Sequence, residues 1–341
     1  MPALPPGSHR AARGVSPGRM MLVGTAANRG QGRLTRRSVL RLAALAVPAV
    51  PVTLAGCVTG HDTRPDPLVP LARHAEFDAG AGYELAAPLT GTESEVATAV
   101  AEVRSRHEEV LRAEARRANR PEPEELPAPD PVTDLEGLGS RLETAISQIR
   151  DLVGEVSRHR AALLGTVAGG CAAALALHEH LGGPLTVEFT VRSLDLELAE
   201  ASIRALREAL AAEHAAIWSY DLIRAFLPGE LTDMIDETIA EHRARRDGGR
   251  ELLRAAGATT DPAEPAYHPP EPVTDEESAA MLAIIAERDT ARAWRGLLER
   301  TDHGALRQFA LQALLSSGTA STRWRSQVGA EPVAVALPGR P

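Results

Sequence analysis

Two acids and one imidazole stand in this sequence where apolar side chains are expected. Leu196, Ala199, Ile203, Leu206, Leu210, Glu213, Ile217 and Tyr220 recur at steps of three and four, so Glu213 lies inside a buried helical stripe. Glu287 interrupts a second such stripe, Ala280, Ile284, Ala291, Trp294 and Leu298, and His242 continues a third after Ile235 and Ile239. An isolated ionised carboxylate in a dry core is strongly unfavourable, so each acid must pair, accept hydrogen bonds, bind a cation or stay protonated. Three chemistries meet that need. The acids can form a polar network with Arg243, Arg245, Arg292, Tyr220 or a histidine; Glu213, His242 and Glu287 can hold one divalent metal ion; or the groups can line a small-ligand pocket between helices.

A dinuclear iron centre in a four-helix bundle asks for more: a Glu on each of two helices and a Glu-x-x-His on each of the other two. No glutamate in the chain has a histidine three residues onward. Glu155 and His159 are four apart, Glu241 and His242 are adjacent, and the expected last helix (Leu306, Ala310, Ala313, Ser317, Ala320, Trp324) puts no carboxylate on its inner face. A full di-iron site is therefore not expected, no resident cofactor is assigned, and a single divalent metal is the alternative. His178-Glu179-His180 reads as a solvated helix end, because alternate residues do not share a helix face. Phosphate-binding loops, His-Glu-x-x-His and Cys-x-x-Cys are all missing from the sequence.

A different chemistry is written near the amino end. Thr35-Arg36-Arg37-Ser38-Val39-Leu40-Arg41 is a twin-arginine motif, and an apolar run from Leu42 to Leu54 leads into Leu54-Ala55-Gly56-Cys57. A run of that length is too short to span a bilayer permanently, so it reads as a removable signal. The Leu-Ala-Gly-Cys ending resembles a lipobox, which would place a diacylglycerol on the Cys57 thiol and make Cys57 the first mature residue. The eight basic residues before Cys57 are all arginines with no acid among them, so of the formal charge of −9 the remainder carries −17. Such a surface disfavours nucleic acid and anionic headgroups, so membrane attachment should come from acyl chains. Cys171, set among Gly169, Gly170, Ala172 and Ala173, reads as a buried thiol, and no disulfide is possible within the monomer once Cys57 is acylated.

The elements that position these groups are helices. Ala, Leu, Glu and Arg dominate, aromatics are 3%, and β-branched alternation is confined to 186–191, read as an extended linker. The octapeptides Pro-Asp-Pro-Val-Thr-Asp-Leu-Glu (129–136) and Pro-Glu-Pro-Val-Thr-Asp-Glu-Glu (270–277) lie 141 residues apart. In each, Thr133 or Thr274 followed by Glu136 or Glu277 predicts a capping box that launches a helix from a Pro-rich connector. Each connector follows an arginine-rich helix containing a histidine, His107 or His242. A 16-residue extended connector (257–272) covers roughly 50 Å at about 3.1 Å per residue. A 26-residue helix (231–256) is roughly 39 Å long. The connector can thus run the whole height of a bundle, the crossover that separates ferritin-like bundles from up-and-down ones.

The segment from about Glu208 to Arg325, with Ala212-Glu213-His214-Ala215-Ala216-Ile217-Trp218, Glu241-His242-Arg243-Ala244-Arg245-Arg246-Asp247 and Ala293-Trp294, resembles a ferritin-like domain of unknown function found in actinobacterial envelope proteins. The resemblance implies a four-helix bundle without an established activity. The expectation is an all-α chain: signal peptide 1–56, tether 57–66, a degenerate helical bundle 67–182, linker 183–193, a ferritin-like bundle 194–328 and a disordered tail 329–341. In that reading the third and fourth helices of the first bundle part near Ser157 to Arg160. The function expected is that of a lipid-anchored envelope protein on the outer face of the membrane, non-enzymatic, binding a partner protein or small ligand. The alternative is a metal-dependent storage or redox protein using Glu213, His242 and Glu287.

Overall fold

A computed structural model describes residues 64–121, 127–189 and 196–340. The twin-arginine motif, the apolar run and Cys57 lie outside them. Eight α-helices account for the described architecture, with no strand among the described residues: α1 Leu68–Ala86, α2 Thr92–Ala118, α3 Leu135–Leu152, α4 Arg158–Leu175, α5 Glu200–Ile223, α6 Thr232–Ala255, α7 Glu276–Leu298 and α8 Gly304–Gln327.

The eight fall into two sets of four with the same order of neighbours. In the first, α1 packs on α2 and α3, and α4 packs on α2 and α3; in the second, α5 packs on α6 and α7, and α8 packs on α6 and α7. The second and third helices of each set are therefore diagonal. At one end of the first set Arg160, near the start of α4, bonds Asp66 and Glu114, so the end of α2 and the α3–α4 turn are together. At the other end Leu85, Leu89 and Glu93 of the α1–α2 turn line one cavity with Thr133 to Glu136. The connector from α2 to α3 thus returns the full height of the bundle. The second set repeats this: Leu196 N–H donates to Ala255 O and Ser202 Oγ to Arg300 O at one end, while Tyr220, Ile223, Met234, Ile235, Ala279 and Ala283 share an apolar cluster at the other. This is the crossover topology of ferritin-like bundles, in both halves.

The launch sites differ from expectation by one residue. Asp134 and Asp275, rather than Thr133 and Thr274, are the N-caps: Asp134 Oδ1 accepts from Gly137 N at 2.8 Å and Asp275 Oδ1 from Ser278 N at 2.9 Å. Ser278, not Glu277, completes the second capping box. A carboxylate answers the positive helix end better than a hydroxyl, and the threonine hydroxyls instead face Asp134 and Asp275. The α3–α4 turn falls at 153–157, a few residues earlier than expected.

The two sets share one core. Helix α4 is buried almost all round, and α8 lies along it so closely that a Cβ on Gly318 would sit 2.3 Å from Gly169 O. Thr322 Oγ1 donates to Ala173 O, and Arg307 spends Nη1 on three carbonyls of the α3–α4 turn, those of Val153, Gly154 and Val156. Phe189, in the stretch expected as a free linker, packs on Phe309 with ring centroids 5.4 Å apart. The carboxyl-terminal segment also departs from expectation. Residues 329–340 are not a disordered tail: Ala334 and Leu337 are buried, and the chain closes against Gly169 and Gly170, whose missing side chains leave room for Pro338 and for Ala336 O.

Candidate functional site

The structure brings Glu213, His242 and Glu287 together, one each from α5, α6 and α7, all 0% exposed. His242 Nδ1 is 2.6 Å from Glu213 Oε2, and His242 Nε2 is 2.9 Å from Glu287 Oε1, so one imidazole bridges two carboxylates through its opposite nitrogens. Trp294 Nε1 donates to Glu213 Oε1 at 2.6 Å and Tyr220 OH to Glu287 Oε1 at 2.7 Å. Glu287 Oε2 is buried without a hydrogen-bond partner.

The fourth charged member is Arg245, one helical turn after His242 and likewise 0% exposed. Its Nε lies 2.9 Å from Glu213 Oε1, an ion pair whose N–H is not aimed at the oxygen; Nη1 donates to Ser316 Oγ at 2.5 Å, and Nη2 lies 2.5 Å from His242 Nδ1. Ser316 Oγ in turn bonds Glu241. Arg245 and Tyr220 are thus the network partners among those the sequence suggested, whereas Arg243 and Arg292 are exposed. The step of three from His242 places Arg245 on the buried face, whereas Arg243 falls on the exposed one.

Charge balance follows from the geometry. Burial and the adjacent Arg245 push the His242 pKa down, but Glu287 and Glu213 hold it above its ordinary 6.5. Burial raises both carboxylates; Arg245 and His242 pull Glu213 below its ordinary 4.5, and His242, Arg245 and Tyr220 do the same for Glu287. Tyr220 is pushed well above 10 by burial and Glu287. Two anions and two cations therefore form a neutral quartet sealed from water.

A related cluster, unforeseen in the sequence, occupies the first bundle. Asp78 of α1 accepts from Arg104 Nε and Nη2 (3.0 and 2.8 Å) and from Arg141 Nη1 (3.2 Å), while Arg104 Nη1 lies 3.1 Å from His107 Nδ1 and 3.5 Å from Cys171 Sγ. His107 Nε2 donates to Ala336 O at 2.7 Å, so Nδ1 is the acceptor and the ring is neutral. Burial and Arg104 lower its pKa to about 3. Burial pushes the Cys171 thiol up, in keeping with an inert buried sulfhydryl. The one available signal was spacing: Asp78 precedes His107 by 29 residues, and Glu213 precedes His242 by the same 29. In each bundle an arginine stands three residues from that histidine, after His242 and before His107.

The two histidines give opposite pH dependences. His242, raised, contributes stability that is complete below 6.5 and is lost as pH rises through its folded value. His107, depressed, contributes stability that is complete above 6.5 and is lost as pH falls from 6.5 towards 3, at about 1.4 kcal/mol per pH unit over that range. Glu213 and Glu287 add a loss on acidification below 4.5. His107→Gln is expected to flatten the decline between 6.5 and 4.5, read from urea midpoints across pH; an unchanged slope would mean that His107 is not held neutral.

Could these residues hold a metal? Among the described residues no group of three His, Cys, Asp or Glu side chains is arranged to do so. The physical reason is that Glu213 and Glu287 approach opposite nitrogens of His242 and a guanidinium fills the space beside Nδ1. His178 caps the short helical turn Glu179–Leu181 by accepting from His180 N, and His180 lies 3.6 Å from Glu93 at the surface.

Residues 205–341 match a family model described as a domain of unknown function, DUF4439. The chain is similar to a conserved hypothetical protein from Mycobacterium tuberculosis whose crystal structure is known: identity is 37%, the match covers 40% of this chain and 97% of that one, and the TM-score is 0.37. No curated protein matches the chain. The whole quartet lies inside the matched region; the Asp78–Arg104–His107 cluster lies before it.

Proposed function

We propose that this chain, whose residues 205–341 match the DUF4439 model, is a non-enzymatic envelope lipoprotein whose joined helical bundles bind a partner protein or small ligand. The observation that carries this reading is the closure of the quartet. The side chains best suited to catalysis, Glu213, His242, Glu287 and Tyr220, are 0% exposed and bonded in one chain, so the interior serves to hold the fold and recognition falls to the surface. A groove of about 620 Å³ between α2 and the carboxyl-terminal segment, floored by Val96, Val103, Leu177 and Val333, is of the size that holds small molecules. Anchoring rests on the Arg36-Arg37 motif and Cys57. No helix among the described residues is long and apolar enough to cross a membrane; the attachment proposed is through acyl chains on Cys57.

Fatty-acid labelling in an actinobacterial host tests the address. The wild-type protein should take up label and partition with membranes, Cys57→Ala should do neither, and Arg36→Lys with Arg37→Lys should leave unprocessed precursor in the cytoplasm. A Cys57→Ala protein that is labelled and membrane-bound like wild type would refute the anchor.

The convergence of Glu213, His242 and Glu287 favours a second reading, a divalent-metal protein for storage or redox work. Arg245 weighs against it.

A further inference from the structure

We infer that the groove between α2 and the carboxyl-terminal segment binds a small amphiphilic cation, an aliphatic ammonium whose charge meets acids on both walls and whose chain lies on the apolar floor. The inference rests on the small-ligand form of the proposed reading and names the class of ligand.

One wall of the groove is α2; the other is the stretch from Glu331 to Ala336, which is pinned at both ends. Arg325 donates from Nε to Pro332 O at 2.6 Å and from Nη2 to Glu331 O at 2.9 Å, and His107 Nε2 donates to Ala336 O at 2.7 Å. Between these pins Val333 and Ala334 line the space opposite Val96 and Val103, so the cavity of about 620 Å³ has fixed apolar sides. Carboxylates stand on both walls: Glu95 and Glu102, two turns apart on α2, and Glu331 on the facing segment, all three exposed. Among the described residues no arginine or histidine lines the groove, and none of the three acids makes an ion pair. Other seams of the fold are closed differently. Arg160 crosses to Asp66 and Glu114, Arg112 to Glu76, Arg300 to Glu208 and Arg323 to Glu237, a guanidinium meeting an acid of another element each time. Here Arg325 gives its guanidinium to backbone carbonyls, and acids are left on both sides of a hydrocarbon-floored space. Such a surface attracts a positive head and repels an anion, while the floor rewards an apolar body that a bare metal ion lacks. Thr98 Oγ1 donates to Ser94 O, so its lone pairs remain to accept an ammonium N–H.

The test is calorimetric titration of the full chain at neutral pH with octylammonium, and with octan-1-ol and octanoate as neutral and anionic probes of the same length. Wild type should bind octylammonium about tenfold more tightly than octanol, the sum of a few exposed ion pairs, and should not bind octanoate. Glu95→Gln with Glu102→Gln and Glu331→Gln should erase that preference. Glu200→Gln with Glu230→Gln and Glu264→Gln, which removes as much charge from exposed acids outside the groove, should keep it. Val333→Trp fills the groove from one wall and should abolish binding of octylammonium and octanol alike; if circular dichroism shows that variant unfolded, Ala99→Trp fills it from the other. An octylammonium affinity lowered equally by both glutamine sets would reduce the effect to overall charge and overturn the inference. Preference for octanol or octanoate, lost in the groove-filling variant, would overturn it while leaving the groove a small-ligand site. Failure of all three probes to bind would overturn it and withdraw the groove from the proposed reading as well.

Discussion

Replacing His242 with alanine is expected to destabilise the folded protein by about 3–5 kcal/mol, a large share of the total for any domain. Among the described residues the imidazole alone hydrogen-bonds both Glu213 and Glu287, at 2.6 and 2.9 Å, and all three side chains are 0% exposed. Its loss leaves two carboxylates in a dry core with one guanidinium, and Glu287, whose Oε2 already lacks a partner, keeps only Tyr220 as a hydrogen-bond donor. The contrast that identifies the cause is a complete replacement. Exchanging Glu213, His242 and Glu287 for leucine and Arg245 for methionine removes every buried charge together and should recover most of the lost stability, because the penalty lies in the unpaired ion rather than in the missing pair. Urea midpoints followed by circular dichroism would read both. A His242→Ala protein within about 1 kcal/mol of wild type would show that the carboxylates have other means of neutralisation.

The second large effect concerns the seam between the bundles. Gly318→Ala should lower stability by about 1–3 kcal/mol and Gly318→Val by more, although alanine at a solvated helix position ordinarily gains about 1 kcal/mol over glycine. The added Cβ would stand 2.3 Å from the backbone oxygen of Gly169, and α4 cannot readily yield there because it is buried almost all round. Gly80, exposed on α1 with nothing within 4 Å of the place a methyl group would take, is the control: Gly80→Ala should raise Tm where Gly318→Ala lowers it. Equal gains at both sites would mean that α4 and α8 do not meet backbone to backbone.

Much of this architecture was legible in the chain. The repeated octapeptide and the length of its connector dictated a crossover, because a stretch able to span a bundle's height has no use as a tight turn. Periodicity placed Glu213 and Glu287 inward, and both are there. Spacing offered Arg243, Arg245 and Arg292 alike as partners for the acids, and only the step of three from the buried His242 singles out Arg245. The threonine caps were misplaced by one residue because Thr-Asp offers two adjacent oxygens and the helix takes the charged one. The folded carboxyl-terminal segment was hidden because its Ala, Val, Leu and Pro residues gain order only against glycines on α4, a pairing some 170 residues away in sequence. The polar cluster of the first bundle escaped for a similar reason. Asp78 and Arg104 look like ordinary surface charges on their own helices, and only packing makes them partners.

The central claim is that four ionised side chains sit sealed and neutral in the carboxyl-terminal bundle, and the protonation of one imidazole reads it most directly. Long-range proton–nitrogen NMR spectra of the histidine-labelled protein distinguish an imidazolium, with both nitrogens protonated, from either neutral tautomer. At pH 6.5, the ordinary histidine midpoint, His242 should still be mostly imidazolium, and at pH 5 His107 should still be neutral with its proton on Nε2. A His242 ring that loses its proton at or below 6.5 would contradict the charged quartet and the role assigned to Arg245 within it.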